Sequence, residues 1–116
     1  MLFRSCNFGP RDLEDLLVVG PIVTNQLPYS LLWRAIEDAI LPKCDDNGIG
    51  IVCYSPLAQG LLTDRYLRGI PDDSRAAKPH GYLPRGEVTD EVVARVRALS
   101  GVARARGQSL AQMALA

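Results

Sequence analysis

The sequence predicts an α/β protein built on parallel strands, and three observations carry that expectation. Short apolar runs of strand length alternate with longer stretches whose apolar residues recur at helical spacing. Glycine, proline and asparagine punctuate most changes of pattern. The run Ile49 to Tyr54, with Ile49, Ile51, Val52 and Cys53, has the near-continuous apolarity of a strand covered on both faces, as in a parallel sheet. Three such βα units fit either a doubly wound sheet or part of an eight-fold barrel, and periodicity alone leaves both open.

The elements follow in order. Leu2 to Asn7 reads as a short strand. Gly9-Pro10 opens a helix, because a proline at the first helical position gives up an N–H that has no intrahelical partner anyway. Leu13, Leu16 and Leu17 give this helix one apolar face, and Gly20-Pro21 stops it. Ile22 to Gln26 is a second strand, followed by a loop at Leu27-Pro28-Tyr29-Ser30. A helix is expected around Leu32 to Lys43, with Leu32, Ile36, Ala39 and Ile40 on one side and Asp46-Asn47-Gly48 ending it. After the strand at Ile49 to Tyr54, a loop containing glycine and proline runs from Leu57 to Gly86. Loops of that length in a compact domain are usually functional or mobile. Thr89 then caps a helix whose buried stripe is Val92, Val96, Leu99 and Ala103, with Asp90 and Glu91 suiting its first turn. Gly107 terminates it, and Ser109 with Gln112 forms a capping box for a last helix.

The 116 residues are enough for one domain with a real core, at 47% hydrophobic and 22% charged. Lys plus Arg equals Asp plus Glu, 13 each, which argues against a nucleic-acid surface. No stretch approaches the roughly 18 apolar residues of a membrane span, and the start lacks the features of a signal peptide. Cys6, Cys44 and Cys53 form neither a C-x-x-C pair nor an even framework, so reduced thiols in a cytoplasmic protein are expected, and no metal site. The lone His80 is expected to be solvated, and Trp33 to pack.

Three ordered words carry the chemistry. The longest is Tyr54-Ser55-Pro56-Leu57-Ala58-Gln59-Gly60-Leu61-Leu62-Thr63. Cys6-Asn7-Phe8-Gly9 and Asn25-Gln26, completed by Tyr29, precede it, and each word sits where a predicted strand ends. Together they resemble the aldo-keto reductase family, whose signatures include Y-S-P-L-A-Q-G-L-L-T-G, S-N-F and N-Q-x-x-Y. Gly69 to Arg75 and Arg106 to Leu115 resemble the branch that contains potassium-channel β subunits and L-glyceraldehyde 3-phosphate reductase. The resemblance spans nearly the whole chain.

The resemblance implies a partial (β/α)8 TIM-type barrel of about three βα units, one domain over residues 1–116 truncated at both ends, with its site at the C-terminal ends of the strands. It implies NADP(H) as cofactor. Asn7 and Gln26 would hydrogen-bond the nicotinamide carboxamide, which needs both a donor and an acceptor. Tyr54 would stack on the ring. Ser55, Pro56, Leu57, Ala58, Gln59 and Gly60 would bring backbone N–H groups to the pyrophosphate, with Gly60 allowing close approach. Arg65 and Arg75 would reach the phosphates. Cys6 would also face the cofactor, and it stands where serine is usual, a weak S–H donor in place of a hydroxyl. Arg4 and Asp64 stand where glycine is common.

The family's catalytic Asp, Tyr, Lys and His belong to motifs not matched here, so no catalytic residue is carried over. Tyr29, Tyr66 and Tyr82 lie in other contexts. The full-length parent would reduce a small carbonyl substrate. The alternatives are a nucleotide-sensing or interaction module like a channel β subunit, self-association of partial barrels, and an inactive gene remnant.

Overall fold

Three strands, β1 (Phe3–Cys6), β2 (Ile22–Pro28) and β3 (Gly50–Tyr54), form one sheet in the order β1-β2-β3, and both pairings are parallel. Helix α1 (Pro10–Val19) connects the first two, and α2 (Ile40–Asp46) lies in the second crossover. Helices α3 (Asp90–Ala105) and α4 (Leu110–Leu115) close the chain. The computed structural model describes residues 2–116, which fall into two compact units, one ending at Ser55 and one beginning at Pro56.

The first unit is a sheet with one covered face. Leu13, Ile22, Cys44 and Ile49 are buried together, and Phe8, Leu16, Leu17, Ile40 and Ile51 pack against them. The Leu13–Leu16–Leu17 face read from the sequence is therefore the face that docks. The Lys43 ammonium lies 2.6 Å from the Glu14 carboxylate, tying α2 to α1 and holding Glu14 below its ordinary value of 4.5. The opposite face of the sheet stays open, with Val23 at 40% and Val52 at 44% exposure. That corrects the expectation of a β3 strand covered on both faces: among the described residues of the first unit, the packed core lies on one side of the sheet.

Three further expectations are corrected. β2 runs through Pro28, because Leu27 and Pro28 still pair with Cys53 and Tyr54, so the loop begins later than the sequence indicated. The helix expected over Leu32 to Lys43 is confined to Ile40–Asp46. Pro42 explains this. In the interior of a longer helix its ring would meet the carbonyl of residue 38, whereas a helix starting at Ile40 places it harmlessly in the first turn. Upstream, the Ser30 hydroxyl accepts from the N–H groups of Leu32 (3.3 Å) and Trp33 (3.1 Å), which favours turns over helix. Trp33, expected to pack, is 57% exposed.

In the second unit the long loop is ordered by four short 3-10 turns: Ala58–Gly60, Asp64–Tyr66, Arg75–Ala77 and Arg85–Glu87. Leu61, Leu62, Tyr66, Ala76 and Leu83 are buried within it. The Thr89 hydroxyl accepts from the Val92 N–H at 3.2 Å, capping α3 as expected. Ser109 and Gln112 exchange the two bonds of a capping box at 3.2 and 2.9 Å. Val96 and Ala103 are buried and Val92 and Leu99 half-buried, so the stripe falls where the spacing put it. Among the described residues no helix is long and apolar enough to cross a membrane.

Candidate functional site

The strand ends gather four of the expected residues, Cys6, Asn7, Gln26 and Tyr54. Parallel register sets Cys6, Gln26 and Val52 side by side across the sheet, all exposed on its open face. Beyond Cys6 the chain turns at Asn7, whose φ is 59°, a conformation that asparagine tolerates better than most residues. The Asn7 N–H donates to the Gln26 carbonyl at 2.8 Å. From β3, the Tyr54 hydroxyl donates to Asn7 Oδ1 at 2.8 Å. Asn7 and Tyr54 thus meet over the end of the middle strand, with Gln26 between their strands.

This arrangement leaves amide groups free. Asn7 spends its oxygen on Tyr54, so its NH2 group remains a donor. Among the described residues, the exposed Gln26 side chain makes no hydrogen bond, leaving both its carbonyl and its NH2 group. One donor, one amide able to accept and donate, and a half-buried aromatic ring are the groups a carboxamide-bearing aromatic ring requires. The residues present therefore fit the nicotinamide end of a dinucleotide.

Tyr29, the last letter of the N-Q-x-x-Y word, has a different task. Its hydroxyl donates to Glu37 at 2.7 Å, and Arg34 pairs with the same carboxylate at 2.8 Å. Bonding from Arg34 and then Tyr29 holds Glu37 below its usual carboxylate range, and the bond to Glu37 raises the Tyr29 phenol. This pins the crossover after β2.

The remaining expected residues lie in the phosphate-loop word and beyond. Ser55, at the end of the first unit, has φ 53°. Within the second unit Ala58, Gln59 and Gly60 follow one another at φ 48°, 59° and 98°. Two successive non-glycine residues in the left-handed region cost roughly 1–3 kcal/mol each, and such strain clusters at ligand-binding segments. Gly60 is suited by its φ more than by close approach, since a Cβ there would lie an ordinary 3.6 Å from the Tyr66 ring. Its N–H donates to the Leu57 carbonyl at 3.0 Å, so the turn itself uses this donor.

Arg75 donates to Gln59 Oε1, joining two expected residues. Arg65 is held instead by Asp73 at 2.7 Å. Each guanidinium has five N–H groups, so neither is exhausted by one neighbour. Beside Arg75 in the chain, the Ser74 hydroxyl is buried with no hydrogen-bond partner among the described residues. His80 is exposed. Cys6 and Cys53 are exposed free thiols and Cys44 a buried one.

Sequence reasoning placed Asn25 in the Asn25-Gln26 word but gave it no role. It is fully buried on the covered face, hydrogen-bonded to the Ser5 hydroxyl and to both backbone groups of Phe8, with the buried Cys44 thiol also beside its amide. Strict alternation from Ile22 would place Asn25 on the opposite face. The register slips by one residue at Val23, and this brings Ile22, Asn25 and Leu27 to the same side. No local signal announces that slip. Asp73 and Ser74 belong to the Gly69 to Arg75 word, but sequence reasoning assigned neither a role of its own.

Residues 5–116 match the family model described as the Aldo/keto reductase family. L-glyceraldehyde 3-phosphate reductase of Escherichia coli (strain K12) is 42% identical over 100 residues, covering 82% of this chain and 29% of that protein. A probable voltage-gated potassium channel subunit beta of Arabidopsis thaliana is 40% identical over 112 residues, covering 94% of this chain and 33% of that one. Among solved structures, a glycerol dehydrogenase from Gluconobacter oxydans aligns with a TM-score of 0.74 at 28% identity, over 94% of this chain and 33% of that one. The chain spans about a third of the length of the curated relatives it matches.

Proposed function

Because the chain belongs to the aldo/keto reductase family, we propose that it carries part of the NADP(H) site of an enzyme that reduces small carbonyl compounds to alcohols. The observation that carries this reading is the convergence of Asn7, Gln26 and Tyr54 at the C-terminal ends of adjacent parallel strands, where enzymes of this architecture place their sites. When bound, the reduced nicotinamide supplies a hydride to a carbonyl carbon. Asn7 would donate from its amide to the carboxamide oxygen, and Gln26 would complement the other end of that group. The Tyr54 ring would cover one face of the nicotinamide, leaving the other open to a substrate. Each unit carries its own share: in the second, the Pro56 to Gly60 loop, Arg65 and Arg75 are assigned to the phosphates. No catalytic acid is assigned to any residue of this chain. The reading places the protein in the cytoplasm, where reduced pyridine nucleotide and free thiols coexist.

Fluorescence titration of the purified chain with NADPH, run beside light scattering, tests the proposal. Saturable binding that is lost in Tyr54→Ala supports it. A soluble chain that leaves NADPH fluorescence unchanged contradicts it.

A second reading concerns assembly. Among the described residues β1 and β3 each have a single neighbour in the sheet, and Val23 and Val52 are exposed. Unpaired parallel edges and exposed valines favour pairing with further strands, here another copy of the chain. Light scattering reads this directly: a dimer or larger species supports self-association, and a monomer at all concentrations contradicts it.

A further inference from the structure

We propose that Asn25 is the positioning residue for Asn7, an inference that rests on the cofactor reading above. The Asn–Gln word divides its labour between the two faces of β2. Gln26 faces the open side, while Asn25 points into the covered side and holds the turn that presents Asn7.

The turn after β1 has few other supports. β1 ends at Cys6, α1 starts at Pro10, and only Asn7, Phe8 and Gly9 lie between. Asn7 is secured through its own N–H to the Gln26 carbonyl, and Gly9 through its N–H to the Asp12 carboxylate at 2.9 Å. Phe8 has both backbone groups satisfied by one side chain. Asn25 Nδ2 donates to the Phe8 carbonyl at 2.9 Å, and Asn25 Oδ1 accepts from the Phe8 N–H at 3.4 Å. The side-chain amide thus pairs with Phe8 as a neighbouring strand residue would. This pairing also settles which end of the amide is which: only Nδ2 can face a carbonyl. The buried Ser5 hydroxyl lies 3.0 Å from Oδ1 and 3.3 Å from the Thr24 carbonyl, and its proton on the nearer oxygen favours this orientation. Burial makes the arrangement demanding, because any residue without both a donor and an acceptor strands a polar group of Phe8. With Phe8 fixed, the left-handed conformation of Asn7 follows, and its amide meets the Tyr54 hydroxyl.

The decisive variant is Asn25→Asp, which keeps the shape and the acceptors and, read at a pH where its carboxyl is ionised, removes the donor to Phe8. Reduced nicotinamide mononucleotide and 2′,5′-ADP serve as separate probes of the two ends of the cofactor. The expected result is about a tenfold loss of mononucleotide affinity with 2′,5′-ADP affinity unchanged. Asn7→Ala/Asn25→Asp should then bind no more weakly than Asn7→Ala alone, since both changes remove one effect. Amide exchange should accelerate at Asn7 and Phe8 and stay unchanged at Leu27 and along α1. Additive losses, or exchange raised evenly across the first unit, overturn the proposal and make Asn25 a general stabiliser. Should Asn25→Asp fail to fold, Ser5→Ala loosens the same amide more gently and should show the same selectivity at a few-fold loss. A wild-type chain that binds no mononucleotide overturns the cofactor reading instead, and the exchange rates at Asn7 and Phe8 still decide whether Asn25 holds the turn.

Discussion

The two units present their expected cofactor residues in different ways. In the first, regular structure does the placing: parallel register aligns Cys6, Gln26 and Val52, and Asn7 and Tyr54 emerge from strand ends on either side. In the second, short 3-10 turns, left-handed residues and polar side-chain contacts set Gln59, Arg65 and Arg75. The first kind of site inherits the rigidity of a sheet. The second depends on local bonds that individually contribute little. Substitutions should therefore act through packing and hydrogen bonding in one unit and through backbone conformation and charge in the other.

The largest effect is expected at the core beneath the sheet. Leu13 is completely buried, and Leu13→Ala should cost roughly 2–5 kcal/mol in urea unfolding, enough to abolish the fold of a marginal chain. An unchanged midpoint would mean that the α1 contact does not support the strand ends. Next comes Gly81→Ala in the second unit. A Cβ at this position would overlap the Arg75 carbonyl oxygen, so the turn has to move, at roughly 1–3 kcal/mol. Because that carbonyl belongs to a residue assigned to the phosphates, 2′,5′-ADP binding should weaken while mononucleotide binding holds. Loss of both would erase the contrast between the units.

Tyr54→Phe separates stacking from orientation. The ring stays, but the 2.8 Å bond to Asn7 goes. The expected loss is about 1 kcal/mol, or roughly fivefold in mononucleotide affinity. An unchanged affinity would show that the Asn7 amide needs no such tether. The smallest effect belongs to Asp73→Asn, which releases Arg65 from an exposed pair. Exposed pairs are worth about 0.2–1 kcal/mol, so 2′,5′-ADP affinity should rise by up to a few-fold. A fall would mean that Asp73 orients Arg65 and does not compete for it.

Much of this was legible in the sequence wherever one side chain dictates one local geometry. Pro10, Thr89, Ser109 with Gln112, and Gly107 each mark a helix end, and the helix ends lie where they indicate. The strands were visible as apolar runs, and the words at their ends named Asn7, Gln26 and Tyr54. Periodicity misleads where a breaker intervenes: Pro42 forbids a long helix before it, although Ile36, Ala39 and Ile40 recur at helical spacing. What could not be read was pairing between distant residues. The register slip at Val23 and the burial of Asn25 come from how β1 and β2 align, and the Arg65–Asp73 contact comes from loop conformation.

The most direct test of the central claim is amide hydrogen exchange of the whole chain, followed by mass spectrometry, with and without saturating NADPH. The account predicts slowed exchange in peptides covering residues 6–9, 26–29 and 54–60, with α3 and α4 unaffected. No change at those strand ends, or protection confined to α3 and α4, would contradict the claim that they form a cofactor platform.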